Sequence, residues 1–105
     1  MHEWPFADQR LAYLAPPNDD QFSIEILGDG APNPRPGYTD LGESLRHARY
    51  HHVCLLVADI DATVAELKRR SVNLLTEPVV LEAIGRKLAF FADPWGNLLE
   101  LAQPI

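Results

Sequence analysis

Residues 50–70, YHHVCLLVADIDATVAELKRR, constrain the fold more than any other stretch of the chain. Two histidines open it, six apolar residues from Val53 to Ala58 come next, and an acidic pair then leads into a helical rhythm. The apolar run is too short to be a helix of its own and includes β-branched residues, so it reads as a strand. Asp59 is placed to cap a helix beginning at Ile60, its carboxylate accepting from the free amides of the first turn. Ile60, Val64 and Leu67 fall at i, i+4 and i+7 and make one apolar stripe. Asp61 lies in the first turn and Lys68, Arg69 and Arg70 crowd the last, which suits the sign of the helix dipole at each end. The stretch therefore predicts a strand that carries an imidazole to one end and feeds directly into a helix. Folding alone explains every part of it except the histidines.

The whole chain has 105 residues, a single-domain length that allows one core. Nine Lys and Arg stand against fifteen Asp and Glu, so the net charge of -6 repels phosphate backbones and argues against nucleic acid as a partner. The apolar runs fall far short of the roughly 20 residues a membrane span needs, and the N-terminus lacks signal-peptide character. The expectation is a cytoplasmic protein with no membrane partner. The lone cysteine, Cys54, has no internal disulfide partner and reads as a small core residue inside its strand rather than a nucleophile.

Taken in order, the first ten residues show no clear period. Leu11 to Ala15 predicts a strand stopped by Pro16 and Pro17, and Asn18-Asp19-Asp20 a turn into a second strand, Phe22 to Leu27. Gly28 to Gly37 holds three glycines and three prolines and must be a connector; a short helix is expected around Leu41 to His47. Beyond the central strand and helix, Val72 to Leu75 predicts a short strand and Glu77 to Gly85 a loop or ragged strand. Lys87 to Ala92 and Leu98 to Ala102 are strands joined by a tight turn at Asp93-Pro94-Trp95-Gly96-Asn97, with Trp95 expected to lie on the core.

The two hairpins repeat each other. Arg10-Leu11-Ala12-Tyr13-Leu14-Ala15 matches Lys87-Leu88-Ala89-Phe90-Phe91-Ala92, 77 residues later, and each leads to an apolar strand with one embedded glutamate, Glu25 and Glu100, 75 residues apart. A carboxylate inside such a strand costs several kcal/mol to desolvate unless something neutralises it. The second copy has a strand, a helix and three strands. The first copy has no counterpart of the opening strand and helix, so the expectation is that the chain is truncated there or that another chain supplies them.

The second copy resembles one βαβββ module of the vicinal oxygen chelate superfamily, which includes glyoxalase I, methylmalonyl-CoA epimerase, extradiol dioxygenases and the bleomycin and fosfomycin resistance proteins. The residues that carry the resemblance are His52-Val53, Val57, Asp59-Ile60-Asp61, Leu67-Lys68, Phe91, Asp93-Pro94, Gly96-Asn97 and Leu99-Glu100-Leu101. His51-His52-Val53-Cys54 is similar to the epimerase branch, and Phe91 to Asn97 to glyoxalase-like members. The resemblance spans Tyr50 to Pro104, with Arg10 to Gly28 matching the tail of a first module more weakly. Ser71 departs from it, standing where the family places a helix-ending glycine.

The resemblance implies an α+β fold of paired βαβββ modules: residues 1–28 a remnant of the first, 29–49 a linker and 50–105 the complete second, all in one compact domain. It implies that His52, Glu100 and Glu25 bind a divalent metal, with the fourth ligand in the absent strand, and that Glu100 or Glu25 acts as base. One imidazole with carboxylates suits Mn, Co, Ni, Zn or Mg, while Fe calls for a second histidine. The implied function is a lyase or isomerase of the glyoxalase and epimerase type on a small substrate with vicinal oxygens. A non-catalytic binding protein for an antibiotic-like small molecule and an extradiol-type dioxygenase are the alternatives. The residues themselves leave other readings open. His52 at a strand mouth also suits a surface or core histidine, and the glutamates also suit salt bridges to Arg10 or Arg86. Arg86 reads as a solvated charge or a contact for an anionic substrate, His51 as a structural residue on the opposite face, and His47 as exposed. An uncovered edge and apolar face at residues 11–27 predict a homodimer, in which His2 or His47 of the partner subunit approaches the fourth ligand position.

Overall fold

A computed structural model of the chain describes residues 2–3, 10–19, 21–28, 41–48 and 50–105. They fall into two compact units, Met1–Gly37 and Tyr38–Ile105. Most of the 28–37 connector, Asp20 and Arg49 lie outside the described residues.

In the first unit, β1 (His2–Glu3), β2 (Arg10–Leu14) and β3 (Ile24–Gly28) form an antiparallel sheet in that order. Asp19 N–H donates to the Pro16 carbonyl at 3.2 Å across Pro17 and Asn18. Asn18 takes φ 63. Proline followed by a left-handed Asn is the residue pattern of a type II turn, so the predicted stop is built from the residues that marked it. Tyr13 pairs with Glu25 across the two strands.

The second unit begins with α1 (Leu41–Ser44), shorter than the predicted 41–47 helix, and continues into β4 (His52–Leu56) and α2 (Ile60–Arg69). Then come β5 (Asn73–Leu74), β6 (Val79–Leu81), a 3-10 turn (Glu82–Ile84), β7 (Arg86–Ala92) and β8 (Leu98–Pro104). The sheet order is β4-β8-β7-β5, with β6 pairing β7 farther along the same edge. β4 runs parallel to β8 and the other pairs are antiparallel. The ragged segment at 77–85 thus resolves into a strand, a 3-10 turn and a left-handed Gly85 at φ 65.

α2 forms for the reasons visible in its sequence. Asp59 accepts from Ala62 N–H at 3.0 Å, and Ile60 and Val64 are buried with Ala89 and Leu101 in the core. Leu55, Val57, Leu67, Leu74 and Phe91 pack around them. Burying side chains of this size stabilises by about 1.5–3 kcal/mol each relative to exposure. Ile60 N–H, left free at the helix start, donates to Gln103 Oε1 at 2.8 Å and ties the helix to β8. At the other end Ser71 N–H donates to the Lys68 carbonyl and Val72 N–H to the Leu67 carbonyl, each at 3.0 Å, a Schellman motif with Ser71 at φ 59.

Because strand side chains alternate, Leu55 in β4 and Ala89, Phe91 and Leu101 in β7 and β8 face α2, and the residues between them face the other way. That second face carries His52, Cys54 and Leu56, paired in register with Leu98, Glu100 and Ala102, and Phe90 opposite Glu100. Three expectations are corrected here. Cys54 is exposed, because its parity puts it on the face that α2 leaves uncovered. Trp95 is 75% exposed, because the Asp93 carboxylate gathers Trp95 N–H, Asn97 N–H and Asn97 Nδ2 into a self-contained turn that projects away from the core. Glu25 is exposed, so the desolvation argument made for both embedded glutamates holds only for Glu100.

Candidate metal centre

The first residue of β4 and the third residue of the adjacent β8 place two donors side by side. His52 Nε2 lies 3.4 Å from Glu100 Oε1, with side chains 20% and 12% exposed. The Phe90 ring, directly across from Glu100, meets the His52 ring edge-on at 5.4 Å and 72°. Two ligands at ~2.1 Å that subtend roughly 90–110° at an ion stand about 3.0–3.4 Å apart. The observed separation is the edge of such a polyhedron, so the pair fits a divalent cation, with a soft-to-borderline nitrogen and a hard oxygen. Among the described residues no group of three or more His, Cys, Asp or Glu that could hold a metal ion converges, and His52 with Glu100 makes a pair.

His51 does not point to the opposite face. It precedes β4, and its Nδ1 lies 2.7 Å from His52 Nδ1. Its Nε2 reaches back to Ser44, 2.8 Å from Oγ and 2.9 Å from the carbonyl. Ser44 is 1% exposed. Sequence reasoning passed over Ser44 altogether; the doubled histidine was the one signal that the second ring had a neighbour. His47 is exposed, as expected.

Beside the pair, Cys54, Leu56, Ile84, Arg86, Leu88, Glu100 and Ala102 line an open cleft of about 340 Å³. Its walls are mostly apolar, with Arg86 the one cation among them. Glu100 belongs to both the pair and the cleft. Glu100 Oε1 faces His52 Nε2 rather than the Arg86 guanidinium. Partial burial, then the charge of Glu100 and its hydrogen bond, push the Cys54 thiol above its ordinary value, with Arg86 acting weakly in the other direction. Cys54 is therefore a thiol at neutral pH and a poor nucleophile. Glu25 belongs to the first unit, where it stands opposite Tyr13 as Glu100 stands opposite Phe90.

The family model of the Glyoxalase/Bleomycin resistance protein/Dioxygenase superfamily matches residues 3–101. The chain belongs to this superfamily. Human mitochondrial methylmalonyl-CoA epimerase is 38% identical over 55 residues, 50% of this chain and 31% of the relative. The chain thus spans about a third of the length of the curated relatives it matches. A glyoxalase family protein from Bacillus cereus superposes with a TM-score of 0.65 at 23% identity, covering 93% of this chain and 64% of that one. One from Enterococcus faecalis gives 0.63 at 22% identity, covering 96% and 72%. These likenesses establish the α+β vicinal oxygen chelate fold. Superfamily members typically use divalent metal ions, bind small molecules and often form dimers. No helix among the described residues is long and apolar enough to cross a membrane.

Proposed function

We propose that the protein is a metal-dependent lyase or isomerase of the glyoxalase and epimerase kind, acting on a small anionic substrate with adjacent oxygens. The observation that carries this reading is the 3.4 Å pairing of His52 Nε2 with Glu100 Oε1, two donors on the neighbouring strands β4 and β8 at a spacing that fits a shared cation.

His52 and Glu100 would hold the ion; Glu25, at the equivalent register of the first hairpin, offers the same kind of oxygen donor. When bound, a divalent ion supplies Lewis-acid polarisation of substrate oxygens. Arg86 in the cleft wall attracts the anionic group of the substrate, and Leu56, Leu88 and Ile84 take up its apolar part and exclude water. Glu100 is the carboxylate proposed to move a proton, a role worth about 10²–10⁴-fold in rate. A methylmalonyl thioester has the features this site calls for, a carboxylate beside a thioester carbonyl and an acidic hydrogen between them. The epimerase likeness over half of the chain supports the same substrate class.

The test is metal binding and then exchange. Purified protein titrated with Zn²⁺ or Co²⁺ should bind near-stoichiometrically, and His52→Ala and Glu100→Gln should lose more affinity than the ~10–100-fold that outer-shell partners command. Both variants should melt close to the metal-free wild type. The loaded protein should incorporate deuterium at C2 of methylmalonyl-CoA in D₂O. Absence of any divalent-ion binding at micromolar concentration overturns the reading. Binding of the thioester that is indifferent to metal, without exchange, points instead to a sequestering protein on the same fold.

A further inference from the structure

A backbone carbonyl can only accept a hydrogen bond, and that fixes a chain of protons running into the site. The Ser44 carbonyl lies 2.9 Å from His51 Nε2, so that nitrogen carries a proton and donates it. Ser44 Oγ, 2.8 Å from the same nitrogen, shares the donor. Ser44 is 1% exposed, so water does not compete for this contact. With one proton on its ring, His51 then has a bare Nδ1, and that atom lies 2.7 Å from His52 Nδ1. Two bare nitrogens at that distance repel, so His52 Nδ1 carries the proton and donates to His51. In the neutral ring the remaining nitrogen, His52 Nε2, is left with a lone pair aimed at Glu100 Oε1, itself an acceptor, 3.4 Å away. Two facing acceptors have no favourable contact until a cation sits between them. The edge-on Phe90 ring keeps the His52 ring plane in that direction.

We infer that Ser44 and His51 form a relay that sets the tautomer of His52 and presents its bare Nε2 to a metal shared with Glu100, which makes His51 a positioning residue. The inference rests on the metal reading above, but its first readout needs no metal. Locking the tautomer in advance removes one reorganisation from metal capture, and an imidazole that donates its far N–H to a partner is a stronger ligand. The relay also gives α1 a purpose, since the helix exists for one turn and delivers the Ser44 carbonyl to His51.

The experiment is a long-range ¹H–¹⁵N correlation spectrum of metal-free protein, then Zn²⁺ calorimetry on two variants checked for folding by circular dichroism. The spectrum should place the proton of His52 on Nδ1 and leave Nε2 bare. His51→Leu should lower Zn²⁺ affinity about 10–100-fold. His51→Gln, whose amide can donate to the Ser44 carbonyl and accept from His52 Nδ1, should restore most of it. A metal-free His52 protonated on Nε2 overturns the relay, and so does a folded His51→Leu that binds Zn²⁺ as tightly as wild type. Should His52→Ala leave Zn²⁺ affinity unchanged, the metal reading fails by itself, and the tautomer spectrum still decides the relay. The same spectrum decides it if His51→Leu does not fold.

Discussion

Ser71 offers a stability test whose size is set by the backbone alone. It is the residue after the C-cap of α2, held at φ 59 by the paired bonds to Lys68 and Leu67 that close the helix. An L-residue with a Cβ pays roughly 1–2 kcal/mol for the left-handed region, toward the lower end for a short polar side chain. Among the described residues the Ser71 hydroxyl makes no hydrogen bond that would offset this. Ser71→Gly removes the strain but gives the unfolded chain more freedom, at about 0.4–1 kcal/mol. The net expectation is a gain of about 0.5–1 kcal/mol, a rise of roughly 2–8 °C in Tm for a unit of this size. Gly85 supplies the converse. It also sits left-handed, at φ 65, and a Cβ there would come no nearer than 4.0 Å to another atom, the Ile105 carbonyl. Gly85→Ala should therefore lose about the same amount through φ alone, with no packing clash to confuse the reading. Thermal melts of metal-free protein monitored by far-ultraviolet circular dichroism would measure both. A Ser71→Gly variant that melts at or below wild type, while Gly85→Ala is neutral, would refute the assignment of strain to these two positions.

Two further outcomes are expected. Hydrogen bonds from Arg69 and then Arg70 hold the Glu66 carboxyl at about 2, below its ordinary value. A depressed folded pKa means that the contribution of Glu66 is present above about pH 4.5 and lost as pH falls toward 2, so the Tm gap between wild type and Glu66→Gln should close over that window. It should also shrink with salt, since the pair is exposed, and a gap constant from pH 7 to 2 would disprove the linkage. The protein is also expected to be a homodimer, because Tyr13, Leu14, Phe22 and Ile26 of the first unit and Val79, Val80 and Leu81 of β6 are exposed apolar residues on or beside strands. Sedimentation should give about twice the 11.8 kDa chain mass, through an interface on the order of 1,600 Å², and a stable monomer at micromolar concentration would contradict it.

The features legible in the residues were those that depend on neighbours along the chain. The Asp59 cap, the Ile60, Val64 and Leu67 stripe and the Pro17-Asn18 turn all rest on contacts within a few positions, and each has the physical cause its residue type suggests. Partners brought together by the sheet were hidden. Gln103 capping Ile60 spans 43 positions, and nothing in either residue marks the other. Alternation was misapplied to His51, which lies outside the strand that begins at His52, and was not applied to Cys54, whose parity puts it with His52 on the uncovered face.

The repeat shows where sequence arithmetic and physical register meet. The hairpins lie 77 residues apart in their first strands and 75 in their glutamates, a mismatch that looks like drift. In the sheets it disappears: Tyr13 opposes Glu25 and Phe90 opposes Glu100, with the two extra residues of the first hairpin taken up outside the paired positions. A one-residue slip would have sent either glutamate to the other face, so the matched registers are a stronger statement of kinship than the matched letters. They also separate what the two glutamates need. Glu25 is exposed and can be neutralised by water, whereas Glu100, with its side chain 12% exposed, faces the side of an imidazole that the Ser44 and His51 relay leaves without a proton. In that place a carboxylate is stabilised by a cation, and among the described residues the atoms arranged to share one with it are those of His52.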